Sequence, residues 1–384
     1  MFIIMLTLLG MSSCIERYHP GNEDLSIGVM AVNAHLSSIP GMQTVQLSRS
    51  VSIDRSVFNP VSSCYIELER SDGEVRIFEE SDPGYYLCDL DGPFLQNGSK
   101  FQLSIVSPEG LRYESEYETL YAASDIDKVY YELEAQPTDE PEVYDQGIRF
   151  FIDFEIEKDS GRYLRWEMQE TFEVHNPDYE SRVYDVDRRW YKLYAEDKWL
   201  TCWITRNISE IFTRDLGNAA GDSYKKLPLN FVSGSDWKLL EGYSLLVRQY
   251  AHSEGAFWYW SELAKNVQSK GGLFDVQPAL TPSNICNIED EEELVIGYFS
   301  ISGVSERRIF LRDVSGLDVY RDSYYCAPGI MPGFLHRYPQ DKLPLYVASS
   351  SITGIPLSGE VRDECIDCRL YKNSSSEKPE FWEE

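Results

Sequence analysis

The 384-residue chain is short of positive charge: 35 Lys and Arg stand against 64 Asp and Glu, a formal net charge of −29. Neutralising nucleic-acid phosphates takes clustered Lys and Arg, and the longest basic runs are pairs such as Arg188-Arg189 and Lys225-Lys226. Nucleic acid is therefore excluded as a primary partner. Histidine is also scarce. The five in the chain (His19, His35, His175, His252, His336) lie far apart and none has a His four residues away, which removes the zinc-protease spacing that needs two imidazoles on one helix face. No Gly-Lys dipeptide exists, so there is no phosphate-cradling loop of that type. The nearest approach to a serine nucleophile elbow, Gly303-Val304-Ser305-Glu306-Arg307, fails at its last glycine. No apolar run reaches the roughly 18 residues of a membrane-spanning helix. Carboxylates are so abundant that no glycosidase pair can be singled out, and Asp89-Leu90-Asp91-Gly92 and Asp185-Val186-Asp187 are fragments of calcium loops that read as solvated turns.

What is present describes a folded, exported protein. A 42% hydrophobic share with 13% aromatics can offset the entropy of ordering the chain. Phe2 to Leu9 form an apolar run of the length of a signal-peptide core, with no Lys or Arg before it. Gly10-Met11-Ser12-Ser13-Cys14 follows and resembles the cleavage and lipidation box of bacterial lipoproteins. The expectation is a signal peptide over 1–13 and a lipidated tether over 14–24. Cys14 then carries acyl chains that anchor the protein at about 0.8 kcal/mol per buried CH₂.

Cysteines stand at 14, 64, 88, 202, 286, 326, 365 and 368. Export makes disulfides the default reading, and removing Cys14 leaves an odd number, so at least one thiol is unpaired. Cys64 and Cys88, in one hairpin region, are candidates to pair, and Cys326 with Cys365 or Cys368 would tie down the C-terminal tail. Cys365-Ile366-Asp367-Cys368 has a zinc-like spacing, but no second pair and no His accompany it, so no metal and no cofactor are expected.

From Ser26 the apolar residues recur with period two, as in half-buried strands. Val45 and Leu47 alternate with Gln46 and Ser48. Ile66 and Leu68 share a face with Cys64, Ser71-Asp72-Gly73-Glu74 turns the chain, and Val75 and Ile77 carry the returning strand. Phe101, Leu103 and Ile105 pair similarly with Leu111 and Tyr113 across Pro108-Glu109-Gly110. Longer strands over Ile148 to Ile156 and Tyr163 to Val174 read as a hairpin across Lys158-Asp159-Ser160-Gly161, preceded by an acidic surface loop from Thr138 to Asp145. Near 253–270, Phe257, Trp260, Ala264 and Val267 form a helical stripe that ends at Gly271-Gly272. Trp258 and Trp260 are the candidate ligand platform there, weighed against simple packing of a helix on a sheet. The expected fold is mainly β: an immunoglobulin-like β-sandwich over 25–122, then a larger β domain over 125–384 with this one packed helix.

Several stretches together resemble the domain-of-unknown-function family 4249 (DUF4249). They are the lipidation box at Cys14, the Gln43 to Arg49 strand, Tyr163-Leu164-Arg165-Trp166, and Tyr243 to Val247. The most specific block is Gly271-Gly272-Leu273-Phe274-Asp275-Val276-Gln277-Pro278, followed by Asn284-Ile285, Gly297 to Ser302, Arg308-Ile309-Phe310, and a tail from Cys365 to Trp382. The resemblance implies an outer-membrane lipoprotein of the Bacteroidota type, in the setting of lipoproteins that accompany TonB-dependent receptors, and it brings no catalytic residues. Cys14-Ile15-Glu16-Arg17 lacks the acidic pair that favours surface display, so the cell-surface and periplasmic faces both stay open. The reading is thus a non-catalytic, outer-membrane lipid-anchored accessory of a TonB-dependent β-barrel receptor in nutrient capture. A secreted hydrolase and a glycan- or peptide-binding adhesin are the alternatives.

Overall fold

The computed structural model describes residues 28–51, 57–177, 181–185, 190–193, 199–219, 221–268, 281–319, 325–327, 339, 346–350 and 357–382. The signal segment, Cys14, the tether and the 271–278 block lie outside the described residues. The protein is mainly β, and its first part contains β1 (Met30–Ser37), β2 (Gly41–Arg49), β3 (Tyr65–Arg70), β4 (Val75–Asp82), β5 (Tyr85–Leu90), β6 (Lys100–Val106), β7 (Arg112–Ser115) and the short β8 (Glu118–Thr119). Strand β4 makes the corner. Val75 to Phe78 pair with β3 while Glu79 to Asp82 pair with β5, and a strand that changes partner part-way folds the sheet back on itself. Ile66, Leu68, Leu103 and Ile105 from one layer thereby share a core with Val32, Ala34, Val45 and Leu47 from the other. The register Ile66↔Phe78 and Leu68↔Arg76 turns Phe78 inward and leaves Val75 and Ile77 exposed. Arg76 is accommodated on the inward side with its guanidinium over the Phe94 ring, 4.5 Å from its centroid.

The second part opens with β9 (Ile126–Pro137) and β10 (Tyr144–Glu155), an antiparallel pair joined by the acidic loop. The expected hairpin between β10 and the next strand, β11 (Tyr163–His175), does not form. Both strands carry inward apolar residues, and each lies in a different layer of one sandwich, with Phe150, Ile152 and Phe154 of β10 facing Leu164, Trp166 and Met168 of β11 across a common core. Strands β12 (Ser181–Asp185) and β13 (Trp190–Leu193) leave this body for a separate small sheet. β14 (Thr201–Asn207) and β15 (Phe212–Asp215) pair with β11, β16 (Ser223–Ser233) pairs with β10, and β17 (Tyr243–His252) flanks β11.

Helix α1 (Glu254–Gln268) follows β17 directly and packs on the outer face of this layer. Its Ala256, Phe257 and Ala264 are buried. After β18 (Ile285–Asn287), which adds to β7, the 17-residue strand β19 (Val295–Leu311) crosses both parts. Its first half runs parallel to β1, Val295 to Ser302 against Met30 to Ser37, and its second half runs antiparallel to β17. Ile285, Val295, Phe299 and Ile301 therefore complete the core of the first sandwich. The tail contributes β20 (Tyr346–Ser350) and β21 (Leu357–Glu360) to the small sheet and β22 (Ser374–Ser375) to the edge at β14.

Disulfides join Cys326 to Cys365 and Cys202 to Cys368, with Cα separations of 5.6 and 5.7 Å. Cys202–Cys368 fixes the tail to β14 of the second sandwich, and Cys326–Cys365 closes a loop within the tail. Cys64 and Cys88 are not joined: Cys64 stands just ahead of β3 in one layer and Cys88 lies in β5 in the other, with the β4 corner between them. Cys286 is also free.

Where β19 passes from one part to the other, a Cβ on Gly303 would lie 2.1 Å from the Tyr121 carbonyl oxygen and 2.6 Å from the Ala123 amide nitrogen. Both are backbone atoms and cannot swing away. Gly303→Ala is expected to destabilise the protein by about 2 kcal/mol or more, read as a lower urea midpoint with unchanged slope. Gly92→Ala, whose added carbon meets only Pro40 Cγ at 3.9 Å, is the control that leaves the midpoint in place.

Candidate functional site

Side chains alternate across a strand, so each residue that fills a core leaves its neighbours on the outer face. On β1, Met30, Val32, Ala34 and Leu36 point into the first core, which puts Asn33, His35 and Ser37 outside. On β11, Leu164, Trp166 and Met168 point into the second core, which puts Arg165 and Glu167 outside. The same parity delivers Tyr250 and His252 from β17 and Ser300 and Ser302 from β19. Pairing then aligns them, with His35 opposite Ser300, Ser37 opposite Ser302, and Arg165 opposite Tyr250. Helix α1 lies over this polar patch and lowers Trp260 into its middle.

The result is a cleft in two compartments separated by His35 and Trp260. One, of about 280 Å³, is lined by Arg165, Glu167, Tyr250, His252, Ser300 and Ser302. The other, of about 330 Å³, runs between α1 and the sheet, with Ala31, Leu263 and Ile296 among its walls and Asn33, Gln46 and Ser48 at its polar side. The Arg165 guanidinium lies 4.0 Å from the Trp260 ring centroid and 4.2 Å from that of Tyr250. Its Nε–H donates to His252 Nε2 at 3.1 Å, and one terminal nitrogen donates to Glu167 Oε2 at 3.3 Å. His35 packs against Trp260 with centroids 4.6 Å apart, and its Nδ1 is 2.9 Å from Ser300 Oγ.

Hydrogen bonding fixes what these groups can do. Because His252 Nε2 accepts from arginine, the ring proton sits on Nδ1, which donates to Ser302 Oγ at 2.7 Å. The imidazole thus has no lone pair for the serine proton, and the Ser302–His252 contact is not a nucleophile–base pair. Burial, reinforced by the Arg165 charge and by His35, holds the His252 pKa well below its usual value. Burial and the Arg165 charge lower that of His35 to about 3. Both rings are neutral at physiological pH. Burial also pulls the Arg165 pKa down from its ordinary value, and the guanidinium still carries its charge near neutrality.

Among the described residues three buried carboxylates lie elsewhere, of which Asp367 is paired with Arg369. Glu170 accepts from Arg206 Nε at 2.5 Å, from Tyr243 Oη at 2.8 Å and from Lys238 Nζ at 3.2 Å, a compensated structural network. Glu118 accepts from Tyr298 Oη at 2.8 Å and Asn284 Nδ2 at 3.2 Å. Burial raises its pKa against the opposing pull of these bonds, and it ties β8 to β19.

Of the residues singled out in the sequence, Trp260 stands at the centre of the cleft, whereas Trp258 projects from α1 with 48% of its surface exposed. The two do not form one platform. Cys14 lies outside the described residues, and the paired and free thiols lie away from the cleft lining. Among the described residues, no group of three or more His, Cys, Asp and Glu is placed to hold a metal ion. Arg165, His252 and His35 went unrecognised as site residues. The available signal was charged or titratable residues at the outward parity of strands whose inward positions are apolar.

A proton binds His252 and His35 more tightly in the unfolded chain, where the pKa is near 6.5, than in the fold. Their contribution is therefore complete above about pH 6.5 and is lost as pH falls toward 3, at up to about 1.4 kcal/mol per pH unit for each imidazole. Urea midpoints measured between pH 7 and pH 4 should fall on acidification, and His35→Asn, which can keep the bond to Ser300, should flatten that dependence. An identical slope in the variant would show that the ring does not resist protonation.

No curated protein matches the chain. Solved structures resemble it weakly. A trypsin-activated alpha-2-macroglobulin from Escherichia coli is 10% identical with a TM-score of 0.20, over 62% of this chain and 15% of that one. A DUF4785 family protein from Legionella pneumophila is 11% identical with a TM-score of 0.18, over 57% of this chain and 51% of that one. This chain thus spans only a minor part of the first and about half of the second. The family models are decisive by contrast: residues 15–308 match the domain of unknown function DUF4249, and the chain belongs to that family.

Proposed function

We propose that this protein is a non-catalytic, lipid-anchored outer-membrane component that works beside a TonB-dependent β-barrel receptor in nutrient capture, with the cleft under α1 as its ligand site. The observation that carries this reading is the chemistry of the cleft. It gathers a buried cation, aromatic rings and an apolar chamber, while its two imidazoles are neutral and His252 is hydrogen-bonded through both nitrogens. Such a lining holds a ligand and has no evident means of turning it over. The hydrolase alternative requires a proton acceptor poised on a nucleophile; Ser302 has none in His252, and His35, beside Ser300, is a weak base whose pKa burial and the Arg165 charge lower to about 3. The adhesin alternative needs Trp258 and Trp260 displayed together, and only Trp258 is exposed while Trp260 is enclosed in the cleft.

Anchoring rests on the lipidation box, and the family match begins at residue 15, directly after Cys14. Among the described residues no helix is long and apolar enough to cross a membrane. The formal charge of −29 opposes close approach to anionic lipid and lipopolysaccharide, so the folded body stands off the surface that Cys14 grips.

Cys14→Ser should abolish metabolic labelling with a radioactive fatty acid and shift the protein from the membrane to the soluble fraction. Labelling that survives the substitution overturns the anchor. Affinity purification of the wild-type protein from detergent-solubilised membranes should recover a TonB-dependent barrel identified by mass spectrometry, and repeated recovery without any barrel counts against the partnership.

A further inference from the structure

The cleft holds more hydrogen-bond donors than the described residues supply acceptors for. Arg165 is only 6% exposed and lines the smaller compartment. Of its five N–H groups, His252, Glu167 and the Tyr250 hydroxyl engage at most three. Trp260, in the wall shared by both compartments, has its indole N–H buried with no hydrogen-bond partner among the described residues. Leaving donors buried without acceptors is costly, more so on a charged group. Glu167 offsets part of the charge through a single 3.3 Å contact and is itself 31% exposed. A missing partner that satisfies an arginine and an indole N–H together is acceptor-rich and singly negative.

The adjoining compartment sets the rest of that partner's chemistry. Ala31, Leu263 and Ile296 line it, and Asn33, His35 and Trp260 stand in the walls of both compartments. Sugar stacking is disfavoured there because Arg165 packs on the Trp260 ring and His35 against it. A dianion such as phosphate would meet one buried cation already shared with Glu167. We propose that the cleft binds a small monocarboxylate with an apolar tail, the carboxylate on Arg165 and the Trp260 Nε1–H, the tail between α1 and β1. This gives the nutrient-capture reading its ligand class, and it rests on that reading for its biological purpose. A free carboxylic acid and the carboxyl terminus of a short peptide present the same chemistry.

Titration calorimetry on the purified full-length protein tests this with four probes: hexanoate, hexan-1-ol, the peptide Gly-Gly-Leu and its C-terminal amide. Saturable binding of hexanoate or Gly-Gly-Leu at one site is expected, with the uncharged counterpart at least about tenfold weaker. Hexanoate alone identifies free acids as the source, and Gly-Gly-Leu without its amide identifies peptide termini. Arg165→Met should weaken the acid by at least about tenfold and leave the weak binding of the uncharged probe unchanged. Leu263→Trp, on the partly exposed side of α1, fills the tail compartment and should weaken the acid with Arg165 intact, which decides the matter if Arg165→Met fails to fold. Absence of saturable binding by either acid, or equal affinity in wild type and Leu263→Trp, overturns the proposal. A receptor that still co-purifies in that event leaves the accessory reading standing; acid binding without any receptor does the reverse.

Discussion

Strand β19 is the constraint on which the rest of the architecture depends. It is parallel to β1 through Val295 to Ser302 and antiparallel to β17 from Gly303 onward, so both sandwiches are built on one continuous backbone. A hinge of independent domains would leave a flexible link at this point. Here the link is a hydrogen-bonded ladder on both sides, and its outer face runs unbroken from β2 to β14. The cleft exists because that shared face is wide enough for α1 to lie on it and because residues of both sandwiches emerge there side by side.

The polar cluster illustrates how a charge is kept in such a place. A buried guanidinium is tolerated when its donors are used and its faces are covered, and Arg165 has rings of Tyr250 and Trp260 beside it and a neutral imidazole accepting from Nε. Burial, reinforced by the arginine's charge, keeps His252 neutral, and the neutral His252 in turn positions Ser302. Glu170 solves the opposite problem with two cations and a phenol around one carboxylate. The difference is instructive: among the described residues Glu170 is saturated, whereas Arg165 is not.

Much of the fold was legible from local pattern. Ile66, Leu68, Phe101, Leu103 and Ile105 alternate as strands must, and the stripe of Phe257, Trp260 and Ala264 fixed α1 because both periods arise from backbone geometry alone. Pairing was not legible where it is remote. The likeness of β10 and β11 as flanks of a short turn suggested a hairpin, yet two strands with apolar faces are equally served by facing each other across a core, and that is what they do. The β1–β19 ladder joins residues 265 apart, as in His35 and Ser300, with no local signal on either strand. The site followed the same rule: Trp260 stood out as an aromatic, while Arg165 and His252 gain meaning only when strands distant in sequence bring them together.

One consequence of the shared strand concerns the order in which the protein can fold. The first sandwich lacks Ile285, Val295, Phe299 and Ile301 until nearly the whole second sandwich has been synthesised. Contacts of such long sequence separation are slow to form because loop-closure entropy is lost before they contribute. A chain emerging from the ribosome therefore cannot complete its N-terminal core early, as a self-contained leading domain would. Delay of this kind makes synthesis past residue 301 the step on which closure of the amino-terminal core waits.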